Sequence, residues 1–178
     1  HDCNFCAVTV FNGRRLRMRE LDNVLAEVES LPRSRLIRRR VVTFVDDNIG
    51  ANPSRAKELF KALIPRRILW GSQACITFAS DEELVALAAE SGCRFIIIGL
   101  ETLSPQALAE IGKRQNRVEQ YESALRTFRK YGILVLGTFM FGLDSDDGAV
   151  FANTLDFAVH NKLVLAQFSM LSPYPGTR

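Results

Sequence analysis

Apolar positions along the chain fall into two alternating kinds. Continuous runs rich in β-branched and aromatic residues occur at 41–45, 68–71, 95–100, 135–141 and 166–171. Because they do not alternate with polar residues, they predict parallel strands covered on both faces. Between them lie stretches with apolar residues at helical spacing. Leu21, Val24, Leu25, Val28 and Leu31 form one, and Ala56, Leu59, Phe60 and Leu63 another after Pro53-Ser54. Leu84, Leu87 and Ala88 follow Ser80-Asp81-Glu82-Glu83, where Ser80 and Glu83 read as a capping box, and Ser91-Gly92 closes that helix. Tyr121, Leu125 and Phe128 share a face of a helix over 118–131 that stops at Gly132, and Phe151, Leu155 and Val159 mark the last one.

Helix and strand therefore alternate five times in units of about 30 residues, the rhythm of an α/β barrel or a doubly wound sheet. No linker or low-complexity stretch interrupts it, so residues 1–178 read as one domain. A barrel should open on a strand, yet here a cysteine loop leads straight into a helix. The first strand is accordingly expected upstream of His1, with the chain a piece of a longer protein.

Composition narrows the classes. Apolar residues make up 47%, enough for a real core, and 24% charged residues argue against disorder. A net charge of +3 is too small to imply nucleic acid. The arginines at Arg14, Arg15, Arg17 and Arg19 and at Arg38, Arg39 and Arg40 adjoin apolar runs and read as solvated surface. No stretch reaches the ~20 apolar residues of a membrane span. Four cysteines, two of them as Cys3-x-x-Cys6, suit metal or redox chemistry in a reducing, cytoplasmic setting better than a disulfide framework.

In parallel α/β folds, chemistry gathers at the carboxyl ends of the strands. There the first visible strand runs into Asp46-Asp47-Asn48, and the second into Ser72, Gln73 and, shortly after, Cys75. The third ends Gly99-Leu100-Glu101-Thr102, the fourth Gly142-Leu143-Asp144, and the fifth passes Gln167 and Ser169 towards Pro173-Tyr174-Pro175-Gly176-Thr177. Acids, amides, hydroxyls and thiols thus converge on one rim. Taken alone, Cys3-x-x-Cys6 fits half of a zinc site, with His1, His160, Cys75 and Cys93 as further donors at unsuitable spacing. It also fits a thioredoxin-type redox pair, two inert core thiols, or an iron–sulfur cluster.

Cys3-Asn4-Phe5-Cys6 resembles the last two cysteines of C-x-x-x-C-x-x-C, the signature of the radical S-adenosylmethionine (SAM) superfamily, including its aromatic residue before the third cysteine. The first cysteine is then expected two positions before His1. Gly99-Leu100-Glu101-Thr102 resembles the family's fourth-strand G-x-E-[ST] segment. Phe141-Gly142-Leu143-Asp144 resembles its fifth-strand glycine motif, with Asp144 where proline is frequent. Phe44-Val45-Asp46-Asp47-Asn48 and the Pro173–Thr177 segment are most similar to the branch that joins a cobalamin-binding domain to the barrel.

The resemblance implies a partial TIM-like (β/α)6 barrel with parallel strands and its first strand missing. It implies a [4Fe–4S] cluster held by Cys3 and Cys6 beside Phe5, and SAM as cofactor. Asp46, Asp47 and Asn48 would receive the SAM ammonium, Glu101 or Thr102 would approach its methionine or ribose, and Gly142 and Ser169 would border the adenine. The activity implied is reductive cleavage of SAM to a 5′-deoxyadenosyl radical, for methylation or another radical modification of a small or lipid-like substrate. A flavodoxin- or ferredoxin-like electron donor is implied, and cobalamin in the full-length protein. Without the third thiolate the chain by itself is expected to hold a cluster poorly and to be inactive.

Rival readings of the residues stay open. Asp46 or Asp47 could cap a turn, Asn48 could form an Asx turn, Glu101 could cap a helix starting at Ser104-Pro105, and Ser169 could be core. Asp144, Asp146 and Asp147 lack the rest of a calcium loop and are expected to favour a helix N-terminus. Lys57, Lys61, Lys113 and Lys162 are expected to be solvated, His160 to lie on a helix surface, and Cys75 and Cys93 to be buried structural thiols, although Cys75 could project into the active-site mouth. A zinc or redox-thiol domain and a non-catalytic barrel remain the alternatives to the enzyme.

Overall fold

A computed structural model describes residues 3–13 and 15–177. His1, weighed above as a zinc ligand, and Arg14, in the first arginine run, lie outside the described residues. Five strands form one sheet in the order of the sequence: β1 (Val41–Thr43), β2 (Leu69–Ala74), β3 (Cys93–Glu101), β4 (Leu134–Phe141) and β5 (Leu165–Met170). Every neighbouring pair is parallel. The sheet is a curled half-barrel of α/β type.

The helices are α1 (Val8–Asn12), α2 (Leu21–Ser30), α3 (Pro53–Leu63), α4 (Glu82–Glu90), α5 (Pro105–Glu110), α6 (Tyr121–Lys130) and α7 (Val150–His160). Local chemistry sets where three of them begin. Asn52 caps α3 by accepting from the Arg55 amide at 3.1 Å, with Pro53 pre-setting the first turn. Ser104 and Pro105 do the same for α5, where Ser104 accepts from the Ala107 amide. Asp81, and not Ser80, caps α4 through the Leu84 amide at 3.0 Å. Ser80 closes a preceding 3-10 turn (Ile76–Ser80), so the capping box expected from Ser80 and Glu83 does not form.

The core lies between the convex face of the sheet and the helices. Ile96, Ile98 and Leu100 of β3 are fully buried, each burial contributing about 1.5–3 kcal/mol. Trp70 of β2 stacks on Phe60 of α3 with ring centres 5.0 Å apart, and the row continues through Phe78 to Phe128 of α6. The Trp70 indole N–H donates to Ser91 Oγ at 3.0 Å, which removes the cost of burying that donor.

One expectation is corrected. Strands β2, β3 and β4 are covered by helices on one face, while Gln73, Ile97, Gly99, Glu101 and Thr138 point into an open cleft on the concave side, and β5 is exposed along most of its length. The apolar runs look continuous because the positions facing the cleft include Ile97 as well as polar residues. Among the described residues no helix is long and apolar enough to cross a membrane.

Candidate functional site

The cleft has a volume of about 1570 Å³ and opens at the carboxyl ends of β1, β2 and β3. Cys3, Phe5, Cys6, Asp46, Asp47, Asn48 and Glu101 all line it. Thr102, Gly142 and Ser169 do not. Of the further donors weighed for a metal, Cys75 also lines the cleft, whereas His160 ends α7 on the surface and Cys93 is buried at the start of β3.

Cys3 and Cys6 sit on one tight turn, in which the Cys6 amide donates to the Cys3 carbonyl at 3.2 Å. Both are free thiols, half-buried and open to the cleft. Two reduced sulfurs on one short loop, with an amide donor 3.7 Å from one of them (Gln115 Nε2 to Cys3 Sγ), fit two corners of an iron–sulfur cluster. A third ligand is not supplied by the described residues, which contain no group of three or more His, Cys, Asp or Glu placed to hold a metal ion.

The Asp46-Asp47-Asn48 loop is stitched to β2 on both sides. Ser72 Oγ donates to the Phe44 carbonyl, the Ile49 amide donates to the Gln73 carbonyl, and Asn48 Oδ1 accepts from the Cys75 amide at 3.2 Å. Asn48 therefore bridges two strand-end loops instead of forming a local Asx turn. Partial burial, reinforced by the like charge of Asp47, pushes the Asp46 carboxyl above its ordinary value. A cation bound there would reverse that effect.

At the end of β3 the strand register shifts between Gly99 and Glu101, and Glu101 adopts φ 66°, a left-handed conformation rare outside glycine. This turns its carboxylate inward, where it pairs with Lys113. A side chain on Gly99 would strike both Glu101 Oε1 and Lys113 Nζ, so the glycine leaves the space the pair fills. Lys113, expected to be solvated, is instead 11% exposed at its side chain, and its ammonium also lies 5.9 Å from the Phe5 ring centre. Thr102 is buried, and its hydroxyl accepts from the Ser104 amide. Ser104 rather than Glu101 caps the next helix.

Beyond β4, Gly142 has φ 91°, and its amide and that of Leu143 both donate to Asp146 Oδ2 at 2.8 and 2.9 Å. Asp147 accepts from the Ala149 amide just before α7, as an acid near a helix start should. Ser169 lies exposed on β5 and donates to the Phe139 carbonyl.

Sequence reasoning passed over Gln115 and Asn116, read Lys113 as solvated, and favoured a buried structural thiol for Cys75 over one at the active-site mouth. Cys75 in fact lines the cleft half-buried; burial pushes its thiol up, with Lys113 opposing. Asn116 is buried and donates to the Gly99 and Leu100 carbonyls and to the Tyr121 hydroxyl. The signal was present: Lys113-Arg114-Gln115-Asn116 is a polar run in the long connection after a strand end, where functional loops concentrate.

Comparison with known proteins gives four findings. The family model described as the radical SAM superfamily matches residues 1–158. Bacteriochlorophyllide d C-12(1)-methyltransferase of Chlorobaculum tepidum is 35% identical over 176 residues, covering 98% of this chain and 38% of that protein. Hopanoid C-2 methylase of Rhodopseudomonas palustris is 27% identical over 183 residues, covering 99% of this chain and 34% of that protein. Among solved structures, the radical SAM methyltransferase TsrM of Kitasatospora setae, with cobalamin and a [4Fe–4S] cluster bound, superposes with a TM-score of 0.85 at 23% identity. That match covers 99% of this chain and 36% of TsrM and carries the fold. The chain thus spans well under half the length of these relatives.

Proposed function

Since the chain belongs to the radical SAM superfamily, we propose that it is the catalytic domain of a longer enzyme that reductively cleaves SAM and methylates, or otherwise modifies by radical chemistry, a small or lipid-like molecule. Methylation is favoured because the 35% identical relative is a methyltransferase. Cobalamin, bound by a domain outside this chain, and a flavodoxin- or ferredoxin-like electron donor belong to the same reading. So does a reducing, cytoplasmic setting, which suits four free thiols.

The observation that carries the proposal is the convergence of the Cys3–Cys6 turn, the Asp46–Asn48 loop and the Glu101–Lys113 pair on one cleft. Cys3 and Cys6 would ligate two irons of a [4Fe–4S] cluster, which when bound supplies the electron that breaks the SAM sulfonium bond. Asp46 and Asp47 offer negative charge to the SAM ammonium, and the stitching of their loop to β2 fixes it before binding. Glu101 offers a carboxylate to the methionine or ribose portion. Thr102 is the weaker candidate there, since its hydroxyl is already engaged. Phe5 and Ile97 supply apolar walls that keep water from the reacting centre. Gly142 and Ser169 stay assigned to the adenine side, at the ends of the last two strands.

Anaerobic reconstitution of the natural full-length protein tests this. The expected outcome is about four irons with matching sulfide per chain, lost in Cys3→Ser and Cys6→Ser, and methionine released from SAM under a strong reductant. One zinc per chain with no sulfide would replace the proposal by a zinc-thiol domain. A loaded cluster with no turnover of SAM would leave a non-catalytic barrel.

A further inference from the structure

Residues 110–116, between α5 and α6, touch both the cysteine turn and the end of β3. The last carbonyls of a helix lack partners within it. At the end of α5 the Ala107, Leu108 and Ala109 carbonyls accept from the Ile111, Lys113 and Gly112 amides, and the last two find their partners on the cysteine turn: the Asn4 amide donates to the Ile111 carbonyl, and Asn4 Nδ2 donates to the Glu110 carbonyl, both at 2.9 Å. At its other end the segment is riveted to the sheet. Asn116 Nδ2 reaches the Gly99 and Leu100 carbonyls, and the buried Tyr121 hydroxyl donates to the Leu100 carbonyl at 2.8 Å. Between these anchors, Gln115 presents its amide to Cys3 Sγ at 3.7 Å.

We propose that Asn4 and Gln115 are positioning residues for the cluster: Asn4 docks the cysteine turn on the α5 end before iron binds, and Gln115 donates a hydrogen bond to the Cys3 sulfur of the loaded site. The proposal rests on the cluster reading above. Its physical content is twofold. A short loop with two thiolates loses less freedom on metal binding if hydrogen bonds already fix it. An N–H donor aimed at a ligating sulfur favours the reduced, more negative cluster, because hydrogen bonds to the sulfurs tune the potential. Asn116 and Tyr121 keep the donor in place through backbone atoms of β3, so the same strap that carries Lys113 to Glu101 carries Gln115 to Cys3.

The test uses the natural full-length protein with Gln115→Leu, Gln115→Glu and Asn4→Ala. In the anaerobically reconstituted protein, both Gln115 variants are expected to keep their iron and sulfide. Gln115→Leu should lower the reduced-to-oxidised ratio at the wild-type midpoint about tenfold in a redox titration followed by electron paramagnetic resonance, ~59 mV for a one-electron couple. Gln115→Glu, which keeps the shape and reverses the polarity, should lower it further, and it serves alone if the leucine variant does not fold. In the metal-free protein, Asn4→Ala should raise amide exchange over residues 3–13 about tenfold while leaving β3 and β4 unchanged. Loaded Gln115 variants with the wild-type potential would overturn the tuning role, and unchanged exchange in Asn4→Ala would overturn the docking role. A wild-type protein that takes up no cluster would instead sink the functional proposal and the tuning role with it. The exchange experiment would still decide the docking.

Discussion

The Lys113 ammonium and the Glu101 carboxylate meet directly over the α-carbon of Gly99, with 11% and 12% of their side chains exposed. Removing one member of a buried pair leaves the other charge uncompensated, which costs about 3–5 kcal/mol. Because this pair borders an open cleft, Lys113→Met should cost about 3 kcal/mol in urea unfolding, and Glu101→Gln somewhat less. The double variant should recover much of the loss. Strictly additive losses would mean that the two charges are not coupled. Gly99→Ala should push the flexible ends of the pair apart at a cost of about 1 kcal/mol and weaken SAM binding more than it weakens the fold.

The four thiols should separate in reactivity. Cys93 is fully buried, and burial pushes its thiol up to about 12, so at pH 8 almost none is thiolate. In the metal-free protein, iodoacetamide followed by mass spectrometry should find Cys3 and Cys6 modified first and Cys75 more slowly. Cys93 should react only after denaturant is added. Early modification of Cys93 would contradict the packing of β3 against α4.

Asp81 should confer acid-sensitive stability. It caps α4 and pairs with Lys57 at 2.8 Å, and the Lys57 ammonium and the Leu84 amide hold its carboxyl below its ordinary value. A depressed carboxyl contributes its full stability above its unfolded value and loses it as pH falls through the folded one. Asp81→Ala should therefore cost about 1 kcal/mol at pH 7, chiefly as a lost cap. The gap from wild type should close as the pH falls from the ordinary carboxyl range through the lowered folded value, measured as midpoint against pH.

The turn after β4 depends on a glycine and an acid. Gly142→Ala places a side chain at φ 91°, which should cost about 1–2 kcal/mol. Asp146→Ala strips the acceptor from the Gly142 and Leu143 amides and should cost about 1 kcal/mol. Thermal melts check both. An unshifted Gly142→Ala would show that the turn does not need the left-handed conformation.

Asp46→Asn should act in two directions. Burial and Asp47 raise the Asp46 carboxyl, so the folded protein holds its proton more tightly than the unfolded chain, and stability falls as pH rises through that window. The asparagine variant should melt slightly higher at pH 7 and bind SAM more weakly. A variant that gains both stability and affinity would remove Asp46 from the ammonium site.

The sequence by itself determined the βα rhythm, the parallel sheet and the rim on which the polar residues gather. Runs such as 95–100 and 135–141 and the helix start at Ser104-Pro105 are local signals, fixed by side-chain periodicity and hydrogen bonding within a few residues. It also marked Cys3 and Cys6, because their spacing carries the family's signature. Only the tertiary structure decided which of the rim residues share a cleft. Thr102 and Glu101 are adjacent in the chain, yet one is consumed by a turn while a shifted register and a positive φ swing the other inward. Lys113 looked like any helix-flanking lysine, and its partner lies 12 residues away across a loop whose path no periodicity encodes. The same holds for Gln115 beside Cys3, 112 residues apart. Such contacts come from the curling of the sheet, which brings the ends of separate βα units together, and no local pattern records that distance.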